Sequence, residues 1–354
     1  MAPTGPALSA ERRAALNAAK LAALVEHRWG AVDRARYALG AGAALIEAGA
    51  PGGPRGWVLA GGAADRVLGP ALVWADRHDV ADLHVVVDPD ASGTGEAPGT
   101  VARQAALFAP APTVWAVDGT ALEAAAPAPV PPRVEPVAPH ELIDLLIDAG
   151  VEIVVEGGLL RGEVNGLEVA RIVAGETTAG VPIAVPQLEV GVGKADRELT
   201  AMVHGDLPPV DQLARVVEIV REHRRPGAPR HPLNQLVPER WLRAVLCRRP
   251  DLVGLAALRP AEGPRPRANL SERDVAVAAG DAPGGAPVVV ACSVGIALDL
   301  VPTAADGRVA LDPGAGLVLA VPARDDHPGT RRLAARLRDP ATVVALAGDW
   351  QAAG

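Results

Sequence analysis

Acidic residues concentrate in the middle of the chain, within segments that have the composition of β-strands. Glu163 and Glu168 interrupt one apolar segment, at 163–173, and Glu189 interrupts another, which ends at Lys194. A carboxylate inside an apolar run must face solvent, pair with a cation or bind a metal ion, because burying it alone is costly. Glu163, Glu168 and Glu189 are therefore candidate ligands for a hard cation such as Mg²⁺.

Lysine is almost absent from this chain, since Lys20 and Lys194 are its two lysines. Arginine supplies nearly all the positive charge, and Ala, Gly and Pro are abundant, which is a composition typical of a GC-rich bacterial genome. A lysine that is kept against this bias is a candidate for a chemical role. Lys194 is placed next to the acidic segments and is the better candidate of the two.

A helix, a hairpin and an acid-bearing strand over residues 139–204 resemble the core of the PD-(D/E)xK nucleases. In that family two acids from adjacent strands hold Mg²⁺, and a lysine two residues after the second acid positions or activates water. The resemblance implies Glu168 as the first acid, Glu189 as the second and Lys194 as the lysine, with the metal clamping the scissile phosphate. The spacing differs from the family pattern, because Gly191 stands two residues after Glu189 and Lys194 stands five after it. A bulge or turn at 191–193 is needed to bring Lys194 to the same face.

The segment 221–249 is strongly basic and follows the acidic region. It contains eight arginines against Glu222 and Glu239, which gives a formal charge of +6. Such a segment can bind a phosphodiester backbone through counterion release. The candidate nucleic-acid contacts are Arg221, Arg224, Arg225 and Arg230. The alternative is a solvated helix face and loop whose arginines pair with the protein's own carboxylates.

Two classes of function stay open on these observations. The first is a metal-dependent, nuclease-like phosphodiesterase. The second is a non-catalytic regulatory α/β protein that binds a ligand or a partner, with its acids facing solvent or paired with Arg161, Arg171 and Arg197. The net charge of −8 counts against extensive nucleic-acid binding, and an aromatic content of 2% excludes a base-stacking platform. No nucleotide cofactor is predicted, because neither GxGxxG nor GxxxxGK[ST] occurs.

Apolar segments at 57–60, 83–87 and 113–117 alternate with helical patterns, which predicts an N-terminal parallel-sheet (Rossmann-like) unit. Further on, 151–155 and 163–173 are predicted to form a hairpin around Gly157 and Gly158, followed by a strand at 188–192 that resumes at 200–204. The tail predicts strands at 288–292, 317–321 and 342–346, with a helix at 330–337. The predicted fold class is α/β, with a larger C-terminal part that holds the β-rich middle.

A Pro- and Ala-rich stretch at 124–138 is the predicted linker. It separates an α/β unit at 1–123 from a hairpin-containing unit at 139–258, which is expected to pack with an α/β unit at 267–354. Residues 99–117 can be aligned with 329–346. Either any helix and strand of an Ala-rich chain look alike, or two related α/β units flank the middle.

Cys247 and Cys292 show no metal-binding spacing and are expected to be reduced thiols. The first ten residues lack a basic stretch followed by an apolar run, and no apolar run reaches the roughly 20 residues that span a bilayer. The sequence therefore predicts a cytoplasmic protein that does not associate with membranes.

Overall fold

The computed structural model describes residues 9–89, 96–173, 186–204, 207–265, 269–270 and 274–353, and its fold is mixed α/β. The chain forms two compact units. Unit 1 comprises residues 1–130, 298–306 and 328–340, and unit 2 comprises 131–297, 307–327 and 341–354. The first crossing between them falls at 130/131, within the stretch predicted as a linker. The predicted start of the last domain, at 267, lies outside the described residues.

Unit 1 contains a mixed sheet whose strands are adjacent in sequence order. The strands are β1 (Ala35–Leu39), β2 (Gly42–Glu47), β3 (Arg55–Leu59), β4 (Asp82–Val87), β5 (Thr113–Asp118) and β6 (Ala121–Ala124). The predicted parallel strands are confirmed as β3, β4 and β5, but β1, β2 and β6 run antiparallel to their neighbours. A two-residue turn at Gly40 and Ala41 joins β1 to β2, a hairpin that was not predicted from the sequence.

Three helices precede or connect the strands of this sheet. They are α1 (Ala10–Trp29), α2 (Leu68–Arg77) and α3 (Ala97–Ala105). The Ser9 side chain accepts a hydrogen bond from the Arg12 amide at 3.3 Å and so caps α1, and Gly30 ends it at a φ of 81°. Leu21 and Leu24 of α1 are buried in one cluster with Trp57 of β3. This packing fixes α1 on the sheet.

The acid-bearing sheet of unit 2 is antiparallel, in the order β10-β9-β8-β7. Its strands are β7 (Glu152–Glu156), β8 (Leu159–Val164), β9 (Leu167–Val173) and β10 (Gln187–Val190), and the helices around it are α4 (His140–Asp148), α5 (Gly193–His204), α6 (Pro209–His223) and α7 (Pro232–Gln235). Leu146 of α4 and Leu213 and Val217 of α6 are buried in its core. The prediction of one strand over 163–173 is wrong, because a turn divides it, and the strand predicted at 200–204 is part of α5.

Unit 2 also contains a second sheet, in the order β11-β12-β13-β14-β15. The elements are α8 (Pro238–Arg248), β11 (Ala257–Ala261), β12 (Ala276–Asp281), β13 (Pro287–Cys292), α9 (Leu300–Leu311), β14 (Gly316–Pro322), α10 (Pro328–Ala335) and β15 (Thr342–Leu346). Of these elements, α10 and the first part of α9, within residues 298–306, belong to unit 1. The predicted strands and helix of the tail are confirmed.

The second sheet repeats the topology of the first. In β1–β5 and in β11–β15 alike, two antiparallel pairings are followed by two parallel ones. The turns before β3 and β13 share the residues Ala-Pro-Gly-Gly, at 50–53 and 282–285. In both turns the last glycine donates its N–H to the carbonyl of the alanine, at 3.2 and 2.8 Å. This repetition favours the interpretation of two related α/β units that flank the middle of the chain.

Among the helices of the described residues, none has both the length and the apolar composition that are needed to cross a bilayer.

A buried histidine on β4 is held by two neighbours within unit 1. Its Nδ1 accepts a hydrogen bond from the Trp115 indole N–H at 3.0 Å, and its Nε2 lies 3.2 Å from Oδ2 of Asp82. Burial lowers the pKa of His84 below its ordinary value, and the attraction of Asp82 for the proton offsets this only in part. Protonation at Nδ1 would also break the bond from Trp115. The folded chain therefore disfavours the protonated form of His84.

We predict that the free energy of unfolding falls as the pH is lowered below 6.5, the ordinary pKa of histidine, because the unfolded chain then binds a proton that folded His84 resists. The stability that neutral His84 contributes is complete above this value and is lost as the pH falls. Urea unfolding of the wild type and His84→Gln at about pH 7.5 and about pH 5 measures this, since a glutamine does not titrate. If both proteins lose the same stability between these pH values, His84 is not the responsible group.

Candidate functional site

The turn between β8 and β9 places two of the predicted acids opposite each other. Asn165 and Gly166 have φ values of 47° and 74°, which are the left-handed conformations of a two-residue hairpin turn. Glu163 and Glu168 are consequently cross-strand partners. A Cβ atom at Gly166 would lie 2.2 Å from the carbonyl carbon of Arg240, so this turn also needs glycine where it approaches α8.

The side chain of Glu163 is fully buried between two arginines of α8. One carboxylate oxygen accepts from Nη1 of Arg240 at 2.9 Å, and the other accepts from Nη2 of Arg243 at 2.5 Å. Burial alone would raise the pKa of Glu163, but the attraction of Arg243 and Arg240 outweighs it, so the pKa lies below the ordinary value. Glu163 is therefore an ionised counter-ion that joins the β8 strand to α8.

Glu168 is buried and is bound by arginines from two other directions. One oxygen accepts from Nη1 of Arg161 on β8, and the other accepts from Nη1 of Arg197 on α5 at 3.0 Å. Glu156 extends the same network, because its carboxylate accepts from Arg240. Each of these carboxylates thus accepts a hydrogen bond from at least one guanidinium.

Glu189 is the most exposed of the predicted acids and is also paired. Its Oε2 accepts from Nε of Arg171 at 2.8 Å and lies 3.4 Å from Nε of Arg197. Arg197 therefore bridges Glu168 and Glu189, and the two acids do converge. Lys194, by contrast, lies on α5 with 86% of its side chain exposed, and its nearest acid is Glu198 at 3.8 Å. Lys194 lies on a helix because the chain turns after β10 at Gly191 and Gly193, which have φ values of 137° and 77°.

The donor set of these acids does not favour Mg²⁺. Carboxylate oxygens that bind Mg²⁺ face an octahedral shell of oxygen atoms, whereas Glu163, Glu168 and Glu189 face nitrogen donors. In the part of the chain that the structure describes, no group of three or more His, Cys, Asp or Glu side chains is placed to hold a metal ion. The Mg²⁺ site stays a prediction, and the arginine contacts argue for a structural role of the acids.

Arg224 does not fit its predicted contact with phosphate, because its side chain is fully buried. The guanidinium donates to the carbonyl oxygens of Asn165, Leu233 and Leu236 at 2.7 to 3.1 Å. Burial lowers the pKa of Arg224 to about 10. The residue ties the end of α6 to the β8–β9 turn and to α7, and it has no surface with which to bind a ligand.

The other arginines of the basic segment differ in exposure. Arg221, Arg225 and Arg230 are exposed and bond mainly to nearby backbone or amide oxygens. Arg240 and Arg243 belong to the acid network, and Arg248 donates to Glu152 at 2.7 Å. Much of the charge that suggested a nucleic-acid surface is thus neutralised inside unit 2, as in the alternative interpretation. Contact with nucleic acid stays a prediction for the three exposed arginines.

Sequence reasoning missed an apolar groove that lies between α5, α6 and α7. Its volume is about 470 Å³, and its wall is mostly aliphatic. The described residues that line it are Val192, Asp196, Leu199, Leu207, Gln212, Arg215, Val216, Ile219, Val220, Leu233 and Leu236. The sequence did contain a signal for the groove. The apolar residues of α6 cover more of the helix surface than the face that packs on the core. Leu213 and Val217 fill the core, whereas Ile219 is exposed in the groove.

We predict that Glu163→Gln lowers the free energy of unfolding by about 3–5 kcal/mol, because it leaves Arg240 and Arg243 buried without their counter-ion. Glu198→Gln is the matched control, since Glu198 is exposed and pairs with Lys194 only at the surface. Urea unfolding at neutral pH measures both variants. A Glu163→Gln protein as stable as the control would mean that this carboxylate does not hold α8 to the sheet.

Comparison of the chain with protein-family models, with curated proteins and with solved structures finds no match. Its function is therefore inferred from the contacts of its own residues.

Proposed function

We propose that this protein is a non-catalytic ligand-binding protein, and that unit 2 binds a small molecule with an apolar body in the groove between α5, α6 and α7. The observation that carries the proposal is the groove itself, about 470 Å³ in volume and lined mainly by aliphatic side chains. Binding sites for small molecules are typically concave, largely apolar and roughly 300–1,000 Å³ in volume, with a few polar groups that orient the ligand. The groove has each of these properties.

The exposure of the aliphatic side chains supports a binding role. Leu199 of α5, Leu207 before α6 and Ile219 of α6 each leave a large part of their surface in contact with water. Exposed apolar surface in a groove is unfavourable in water unless something covers it. A ligand that buries these side chains would recover that free energy.

The nuclease hypothesis has less support from the contacts. Hydrolysis of a phosphodiester by the predicted acids needs carboxylates that are free to bind a metal ion. Glu163 and Glu168 are each bound by two arginines, and Glu189 by Arg171. A metal ion would have to displace these guanidiniums from a buried network. We therefore prefer the binding function.

The test uses N-phenyl-1-naphthylamine, a neutral apolar dye whose fluorescence rises when it leaves water. We expect saturable binding to the whole chain. Ile219→Trp fills the groove and Leu199→Asp places a charge in its wall, and each should weaken binding by about tenfold or more. Both positions are exposed, so neither substitution needs to disturb the core.

Ile147→Trp is the matched control, because Ile147 is an exposed isoleucine of α4 that does not line the groove. It adds the same side chain at a distant place and should leave the dissociation constant of the dye unchanged. Circular dichroism and urea unfolding check that all variants are folded. If the dye does not bind, or if Ile219→Trp binds it as tightly as Ile147→Trp does, the groove is not the ligand site.

A further inference from the structure

We propose that the groove selects ligands that carry a carboxylate, and that the guanidinium of Arg215 pairs with it. This inference rests on the proposed function, because it names the chemical class of ligand for the same groove. The ligand would be a small molecule with a hydrocarbon chain and one acidic group. The chain would lie against Val216, Ile219 and Leu199, and the acid would lie at the rim of the groove.

Arg215 is the cation of the groove wall and makes no hydrogen bond or ion pair with the residues that the structure describes. Two acids are spaced to reach it along α6, Asp211 four residues before and Glu218 three residues after. Neither forms an ion pair with it in the described structure, although such spacing is the usual one for a pair on a helix. Within the described part of the chain, the guanidinium therefore has no anionic partner.

The other charged side chain of the groove is already satisfied. Oδ2 of Asp196 accepts from the Val192 amide at 2.6 Å, at the beginning of α5. The positive end of the helix dipole stabilises a carboxylate at this position. Asp196 therefore already has a hydrogen-bond donor and a favourable helix end, whereas no partner of Arg215 is found among the described residues.

The arginines of the acid network differ from Arg215, because each of them binds a carboxylate of the protein. Arg161 and Arg197 bind Glu168, and Arg171 binds Glu189. Arg215 is an exposed residue that lines a largely aliphatic groove, so an ion pair with a ligand would form at the surface of the groove. Arginine binds a carboxylate through two parallel N–H donors, which also fixes the direction of the ligand. An aliphatic groove with one such donor suits a medium-chain carboxylic acid.

The experiment compares octanoate, octanol and octyltrimethylammonium, which share one hydrocarbon chain and differ in charge. Each displaces N-phenyl-1-naphthylamine from the wild-type chain at low salt. We expect octanoate to bind about fivefold more tightly than octanol, and the ammonium compound to bind more weakly than octanol. The preference for octanoate should shrink in about 1 M salt, because salt screens a partly exposed ion pair.

Arg215→Gln should remove the preference for octanoate while octanol binds as before, and Arg215→Lys should keep part of it. Lys194→Gln removes a positive charge from α5 outside the groove and serves as the control, with the preference intact. If octanol binds the wild type as tightly as octanoate, the carboxylate inference is wrong while the groove remains a ligand site. If none of the three displaces a dye whose binding Ile219→Trp weakens, the carboxylate inference is wrong, whereas failure of the dye itself to bind would overturn the proposed function.

A second copy of the chain could occupy the groove in place of a small molecule. Sedimentation velocity of the wild type and of Ile219→Trp measures this. A monomer in both cases supports a small-molecule ligand. A wild-type dimer that Ile219→Trp dissociates would identify the groove as an interface between copies and would overturn the carboxylate inference.

Discussion

The ionised carboxylate of Glu163, buried between Arg240 and Arg243, is the interaction on which the architecture of unit 2 depends. Removing two arginines and a glutamate from water costs several kcal/mol for each ion, and only close, well-directed pairing offsets that cost. One face of α8 therefore needs charged partners, and the other face needs apolar ones. Arg240 and Arg243 need the carboxylates of the acid-bearing sheet, whereas Trp241, Leu242, Val245 and Leu246 are buried with the second sheet.

The same constraint explains why the middle of the chain is rich in acids without being a metal centre in our interpretation. A guanidinium supplies the positive charge that a buried carboxylate requires, and it also supplies directed N–H donors. Arg161 and Arg197 bind Glu168, and Arg171 binds Glu189, so each of these carboxylates has at least one arginine partner. Charges that are paired inside the fold hold its elements together and are not available for substrate. The ligand site that we propose for unit 2 is therefore not this cluster but the aliphatic groove that Arg215 lines.

Much of the fold was predictable because its signals are local. Continuous apolar strands separated by helices indicated β3, β4 and β5 with their helices, and the same pattern indicated β13, β14 and β15. The Ser9 cap of α1 was also a local signal. The hairpin of β1 and β2 was missed because Ala-rich strands have weak β composition. The turn at Asn165 and Gly166 was missed although Asn-Gly is a strong hairpin signal, since the apolar residues on both sides were taken as one strand.

The candidate site was less predictable, because pairing between distant residues decides it. Composition could locate Glu163 and Glu168, but the arginines that bind Glu163 are 77 and 80 residues further along the chain. The alternative that acids pair with Arg161, Arg171 and Arg197 was open from the sequence, and the contacts favour it. The groove depends on how α5, α6 and α7 pack, and no motif marks such a surface.

Thermal unfolding in increasing MgCl₂ or MnCl₂ tests most directly whether arginines, and not a metal ion, neutralise the acids. A metal that binds only the folded chain raises the melting temperature by mass action. We predict that the melting temperature of the wild type stays constant up to about 10 mM of either metal. A rise that saturates with metal, and that Glu189→Gln abolishes, would contradict this account and restore the metal-dependent enzyme.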